Sequence, residues 1–277
     1  MTRLSKAEVL TAKSPSDNDA RGSEPHFHYC GLLVSAANSE EWNLASQEGV
    51  PWIDLKDPAR GALGKPNLEL ATAFAASMRN QNQPRWSIAG GELSEWDCDS
   101  DQAYCRILGS TGHIKWALAG CEGRFPWQEQ LGRSIAYLAF PQQAILVHYA
   151  DHLECQAPDW ESVLSAAHRM GTRYVLIDTG LKNGRGLLDH LSPTRLRQQV
   201  TQANRLGLEV AIAGALGLEQ IPLGQSIGAA WVGVRGAVCS DAGRTSPFCQ
   251  EKLQQAVAIV RGSATTDERR ETHHVIG

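Results

Sequence analysis

Three lysines and two aspartates stand at spacings that could do carbonyl chemistry. They are Asp54 and Lys56 in WIDLKDP, Lys115 in HIKWAL, and Asp178 and Lys182 in YVLIDTGLKNGRG. Successive strand side chains point to opposite faces, so Ile53 and Leu55 share one face and Asp54 and Lys56 the other. A lysine amine attacks a carbonyl to form a Schiff base only when deprotonated. From a reference pKa near 10.4, about one in two or three thousand is neutral at pH 7. Neighbouring ammonium groups and partial burial lower that pKa and raise the reactive fraction. Nearby aspartates can hold, orient or relay protons. A lone strand-end Asp–Lys pair is more often a structural ion pair, but burying charge is expensive and a hydrophobic replacement is often no less stable. Five charged groups brought to one place therefore point to chemistry.

What must bring them there is a run of alternating elements. Eight short apolar stretches read as strands: LLVSAAN (32–38), WIDLKD (52–57), RWSIAGG (85–91), HIKWAL (113–118), AILVHYAD (144–151), YVLIDT (174–179), EVAIAGAL (209–216) and WVGVRGAV (231–238). The segments between them carry helix punctuation. Residues 39–49 start with Ser39 as a candidate N-cap and stop at Gly49; 159–171 run from Asp159 to Gly171; 192–207 open with Ser192 as N-cap and Pro193 in the first turn and close at Gly207. This alternation predicts an α/β fold with an all-parallel sheet, and its length matches a single-domain (β/α)8 TIM barrel. A doubly wound open sheet would carry a GxGxxG turn after the first strand, where SAANSEE stands instead. The expected layout is a polar N-terminal tail over 1–28, a barrel over 29–262 and a polar C-terminal tail over 263–277.

In such a barrel the inward face of each strand fills the lumen, and active sites lie beyond the C-terminal strand ends. Asp54, Lys56, Lys115 and Asp178 would face in, with Lys182 in the loop just after the sixth strand. Glycines mark the last two strands, Gly214 and Gly217 in AGALG and Gly233 and Gly236 beside Arg235 in GVRGAV. Phosphate sites often form there, where backbone N–H groups approach the ligand and an arginine adds a charge-assisted contact. Small residues that relieve crowding at the barrel top explain the same glycines equally well. His148, Tyr149 and Asp151 end the fifth strand; Asp151 is a candidate substrate contact, whereas a strand His is more often structural. The glycines of DPARGALGKP (57–66) suit a turn over the mouth. Trp86, Trp116 and Trp231 read as core, and Cys239 has no flanking base to make it a nucleophile.

Composition narrows the class. Of 277 residues, 26 are basic and 30 acidic, a net charge of −4, with no Lys/Arg run interleaved with aromatics; nucleic acid is an unexpected partner. No apolar run approaches the ~18 residues needed to span a bilayer, so no membrane association is expected. Seven cysteines, an odd number without CxxC or Cys/His ligand spacing, read as reduced thiols of a cytoplasmic protein. No metal or organic cofactor is indicated, His273 and His274 read as a solvated tail pair, and homo-oligomerisation stays open.

Taken together, LLVSAAN, WIDLKDPARGALG, HIKWAL, HYAD, IDTGLKNGRGLLDHL, AIAGAL and VGVRGAVC resemble, in that order, the (5-formylfuran-3-yl)methyl phosphate synthase family of methanofuran biosynthesis. The resemblance runs from about Gly31 to Arg261. It implies a lyase that condenses two glyceraldehyde 3-phosphate molecules through a lysine Schiff base into 4-(hydroxymethyl)-2-furancarboxaldehyde phosphate, releasing phosphate and water. It further implies Lys56 as the Schiff-base residue, Lys115 as proton acceptor, and Asp54, Asp178 and Lys182 as further active-site residues. Asp57 stands where Asn is usual, Ala59–Arg60 replace a Lys–Glu pair, and Glu92 replaces an Asp. The competing readings are another class I aldolase acting on a phosphorylated aldehyde, and a non-catalytic barrel used as a scaffold.

Overall fold

The computed structural model describes residues 30–79, 84–123, 126–241 and 243–271, with side chains through 262. The N-terminal tail expected over 1–28 and the His273–His274 pair lie outside the described residues. Eight parallel strands close into a barrel in sequence order. They are β1 (Gly31–Ala36), β2 (Trp52–Leu55), β3 (Arg85–Glu92), β4 (His113–Ala117), β5 (Ala144–Tyr149), β6 (Tyr174–Asp178), β7 (Glu209–Ile212) and β8 (Trp231–Val234). Each apolar run of the sequence is one of these strands, so the (β/α)8 barrel is the fold. β8 pairs with β1 and closes the cylinder. No helix among the described residues is long and apolar enough to cross a membrane.

Helix boundaries follow their caps. Ser192 accepts the N–H of Arg195 at the start of Pro193–Arg205, and Asp159 accepts that of Ser162 at the start of Trp160–Arg169. The first helix, Ser39–Gln47, differs from expectation by one residue: Asn38, not Ser39, is the N-cap and accepts the N–H of Glu41. An Asx carboxamide in extended backbone reaches that N–H directly, which moves Ser39 into the first turn. The closing helix runs Gln250–Glu271, past the expected domain boundary at residue 262.

Two apolar layers make the core. Outward-facing Leu32, Val34, Ile53, Leu55, Ile114, Trp86 and Trp116 pack with the helices, while Leu33, Trp52, Ile145, Tyr174, Leu176 and Trp231 fill the lumen. Alternate strands contribute to alternate lumen layers. The lowest is aromatic: Trp52 lies 4.9 Å from Trp231, 5.1 Å from Tyr174 and 5.2 Å from His113 between ring centroids. Burial pushes the His113 imidazole down to about 4, so this floor is uncharged near neutrality. Two residues further along the same strands, the side chains become Asp54, Lys115 and Leu176. The floor supports this polar layer directly, because Trp52 Nε1 donates to Ser87 Oγ and Ser87 Oγ donates to Asp54.

Candidate active site

A cavity of about 490 Å³ opens at the C-terminal strand ends, lined by Lys56, Lys115, Asp178 and Lys182 among others. Asp54 lies beneath it, fully buried. Its carboxylate accepts from Ser35 Oγ at 3.1 Å and Ser87 Oγ at 2.7 Å and holds Lys115 Nζ at 2.6 Å. A buried charge is tolerable only when paired and hydrogen-bonded, and this one has three partners. Lys182 is anchored differently. Its Nζ donates to Thr179 O at 2.6 Å and Thr179 Oγ1 at 3.2 Å, and stands 3.6 Å from Asp178 Oδ1. The five residues singled out in the sequence therefore meet at one place.

Lys56 is the exception among the three lysines. Among the described residues its Nζ has no hydrogen-bond or ion-pair partner within 4.0 Å. Burial lowers its pKa from 10.5 to about 8; the Asp178 and Asp54 carboxylates oppose that change, while the Lys115 and Lys182 ammoniums reinforce it. At about 8, roughly one amine in ten is neutral at pH 7, against one in a few thousand for an ordinary lysine. The unpartnered lysine is thus also one that burial favours in its neutral form. The cysteines do not compete: all seven are unpaired, and burial pushes the thiols of Cys30, Cys105, Cys121 and Cys155 up to about 12.

The family model described as 4-HFC-P synthase matches residues 32–257, which contain every residue of this cluster. The chain belongs to the 4-HFC-P synthase family. Among its relatives, (5-formylfuran-3-yl)methyl phosphate synthase of Methanosarcina barkeri is 27% identical over 230 residues, covering 82% of this chain and 97% of that protein. The enzyme of the same name from Methanosarcina acetivorans is 29% identical, with the same coverage. In solved structures, phosphoribosyl anthranilate isomerase from Thermus thermophilus aligns with a TM-score of 0.57 at 11% identity, covering 84% of this chain and 98% of that one, a likeness of fold alone.

Among the second rank of expected ligand contacts, this family member sorts glycines from charges. Gly214 and Gly236 line the cavity. Gly214 has φ +111°, and a β-carbon there would meet Leu187 Cβ and Thr179 Cγ2 at 3.2 Å, so crowding also requires glycine. Arg235 lines the cavity, but its guanidinium is committed elsewhere. Nη1 donates to Glu41 Oε2 at 2.8 Å and Ser35 O at 2.6 Å, Nη2 to Glu41 Oε1 at 3.2 Å, and Nε to Arg244 O. It staples the first helix to the loop after β8, which leaves little for a phosphate. Asp151 does not line the cavity. It accepts the N–H groups of Gly180 at 2.7 Å and Leu181 at 2.8 Å. Although burial alone would raise its pKa, those two donors outweigh it and hold the carboxyl below its ordinary value. Asp151 thereby fixes the loop that carries Lys182. Replacing it by alanine strands two N–H donors and is expected to destabilise the protein by about 2 kcal/mol or more, and to raise KM more than it lowers kcat. Urea unfolding and steady-state kinetics check both.

His148 points away from the lumen, 5.5 Å from the Trp160 ring and 5.4 Å from His152. Tyr149 faces in, and its Oη donates to Glu92 Oε1 at 2.7 Å, while Glu92 Oε2 accepts the Ala119 N–H. The longer carboxyl thus reaches both partners. Asp57 caps the turn Pro58–Arg60 by accepting the Ala59 N–H, a task an Asn performs equally well. Sequence reasoning passed over Ser35, Ser87, Glu41, Thr179 and Arg244. The two serines were detectable, since each occupies a lumen-facing position in its strand's two-residue period. Glu41 looks like any first-turn acid, and nothing in its neighbourhood names Arg235 as its partner.

Proposed function

We propose that this protein is a cytoplasmic lyase joining two molecules of glyceraldehyde 3-phosphate into 4-(hydroxymethyl)-2-furancarboxaldehyde phosphate for methanofuran biosynthesis. The observation that carries the reading is the unpartnered Lys56 amine, lowered to about 8, in one cavity with Lys115, which Asp54 holds from beneath. Lys56 attacks the aldehyde carbon of one triose phosphate, and loss of water gives an iminium that acts as electron sink. Asp54 takes one proton from the Lys115 ammonium it holds at 2.6 Å, and the amine so freed removes a proton from the adjacent carbon. The enamine so formed expels phosphate from the third carbon, and the enol left on Lys56 adds through that carbon to the carbonyl of the second triose, which has shifted by 1,2-enolisation to its ketone isomer. Ring closure, dehydration and hydrolysis of the iminium complete the balance: two triose phosphates become one furan monophosphate, one phosphate and, net, two waters. Lys182 and Asp178 stabilise anionic oxygens and pass protons near the mouth.

Incubation with glyceraldehyde 3-phosphate alone tests the reading. A product with the near-ultraviolet absorbance of a furaldehyde supports it, and a simple aldol product overturns it in favour of an ordinary class I aldolase. Borohydride trapping is expected to add the mass of a reduced triose phosphate at Lys56; labelling at another lysine refutes the assignment. The trapping rate is expected to rise with pH through about 8, as the Lys56 ammonium loses its proton. Replacing Lys115 by methionine removes an ammonium that helps lower Lys56 and is expected to move this limb to higher pH.

A further inference from the structure

If the proposed condensation holds, on which this inference rests, two phosphate groups must be accommodated in one cavity. Six cations line it: Lys56, Lys115, Lys182, Arg185, Arg235 and Arg244. Four already own a carboxylate, because Lys115 pairs with Asp54, Lys182 with Asp178, Arg185 with Glu154 and Arg235 with Glu41. Among the described residues, only Lys56 and Arg244 have none within 4.0 Å. Lys56 is spoken for by its carbonyl chemistry. Arg244 remains, a half-buried arginine lining the cavity on which Asp178 and Asp57 act only from beyond ion-pair distance.

Its main chain is fixed, since its carbonyl accepts from Arg235 Nε. Its side chain crosses to the loop after β2, where Nη2 donates to Gly61 O. The residues that follow, Ala62 and Leu63, are buried with the lumen side chains, so this loop is seated on the barrel mouth. The guanidinium therefore stands on the β8–β2 side of the cavity, above the strand that leads to Lys56, whereas Lys182 and the Gly214 turn belong to the β6–β7 side. Burial withdraws this cation from water, and a guanidinium fork matches two phosphate oxygens at once.

We propose that Arg244 holds the phosphate of the second triose, the one that accepts the Lys56-bound enol, while the glycine turn after β7 takes the phosphate of the first. Arg244 is then the residue that selects a phosphorylated acceptor.

Both trioses are the same molecule, so the test separates them by event. Borohydride trapping at Lys56 reports the first, and furan formation reports both. In Arg244→Gln, the glyceraldehyde 3-phosphate concentration that half-saturates trapping is expected to stay within about twofold of the native value. That for furan formation is expected to rise about 10- to 100-fold, the scale of one lost charge-assisted contact. Arg244→Lys, which keeps the charge but not the fork, is expected to fall between. Equal shifts in both assays, or a shift in neither, overturn the proposal, as does a loss of furan formation that merely follows a lowered unfolding midpoint. A native protein that traps no triose at Lys56 would instead refute the condensation itself.

Discussion

Replacing Lys56 with methionine is expected to abolish furan-phosphate formation and at the same time make the protein more stable. Loss of the covalent step removes the route through the iminium, and a rate loss of about 10⁴-fold or more is expected for a nucleophile without a substitute. The stability gain follows from the same pKa. The folded state holds Lys56 at about 8, against 10.5 for an unburied lysine. Between those values the unfolded chain binds more protons than the folded one, so stability rises with pH across that window, and the full penalty is present below about pH 8. At about 1.36 kcal/mol per pKa unit this is of order 3 kcal/mol, an upper figure because water still reaches the mouth. The variant is therefore expected to unfold at higher urea than the native protein at pH 7, with the difference shrinking toward pH 10.5. Residual furan synthesis would remove Lys56 from the mechanism; a variant no more stable than the native protein would mean the amine is not strained.

Replacing Asp54 with alanine is expected to act in the opposite direction on stability. It leaves the Lys115 ammonium, 3% exposed, without a carboxylate, and strips the Ser35 and Ser87 hydroxyls of their acceptor. Breaking a buried pair from one side typically costs about 3–5 kcal/mol, whereas removing both charges in favour of apolar groups is often neutral. Asp54→Leu combined with Lys115→Met is accordingly expected to recover most of the lost stability while remaining inactive. Urea midpoints for the two variants and furan absorbance settle the matter together. A single Asp54→Ala variant as stable as the native protein would show that the pair is not held in the dry lumen described above. A stable but inactive double variant would identify Asp54–Lys115 as a pair retained for chemistry, since the barrel can do without it.

Much of this was readable in the chain. The two-residue alternation of WIDLKDP sends Ile53 and Leu55 to the helices and Asp54 to the lumen, because a strand offers only two faces and one of them had to be apolar. HIKWAL places Lys115 inward for the same reason. Loop residues were harder. Lys182 was placed from its position after the sixth strand, yet its anchoring by Thr179 and the Asp151 brace depend on backbone turns that have no short repeat. Arg235 shows the same limit, because an arginine beside glycines at the barrel top reads as a phosphate ligand, and only the fold shows Glu41, 194 residues earlier, closing on it.

Local chemistry along the chain decided which residues face inward, where helices begin and end, and which five groups could collaborate. Strand period and helix caps act over a few residues and are written in order. The partnerships were decided by the curling of the sheet into a barrel: β8 against β1 lets Glu41 take Arg235, and the curve from β2 through β3 to β4 lets Asp54 take Lys115, while Lys56 and Arg244 go without. Coulomb attraction and burial depend on distance through space, and that distance exists only once the cylinder has closed.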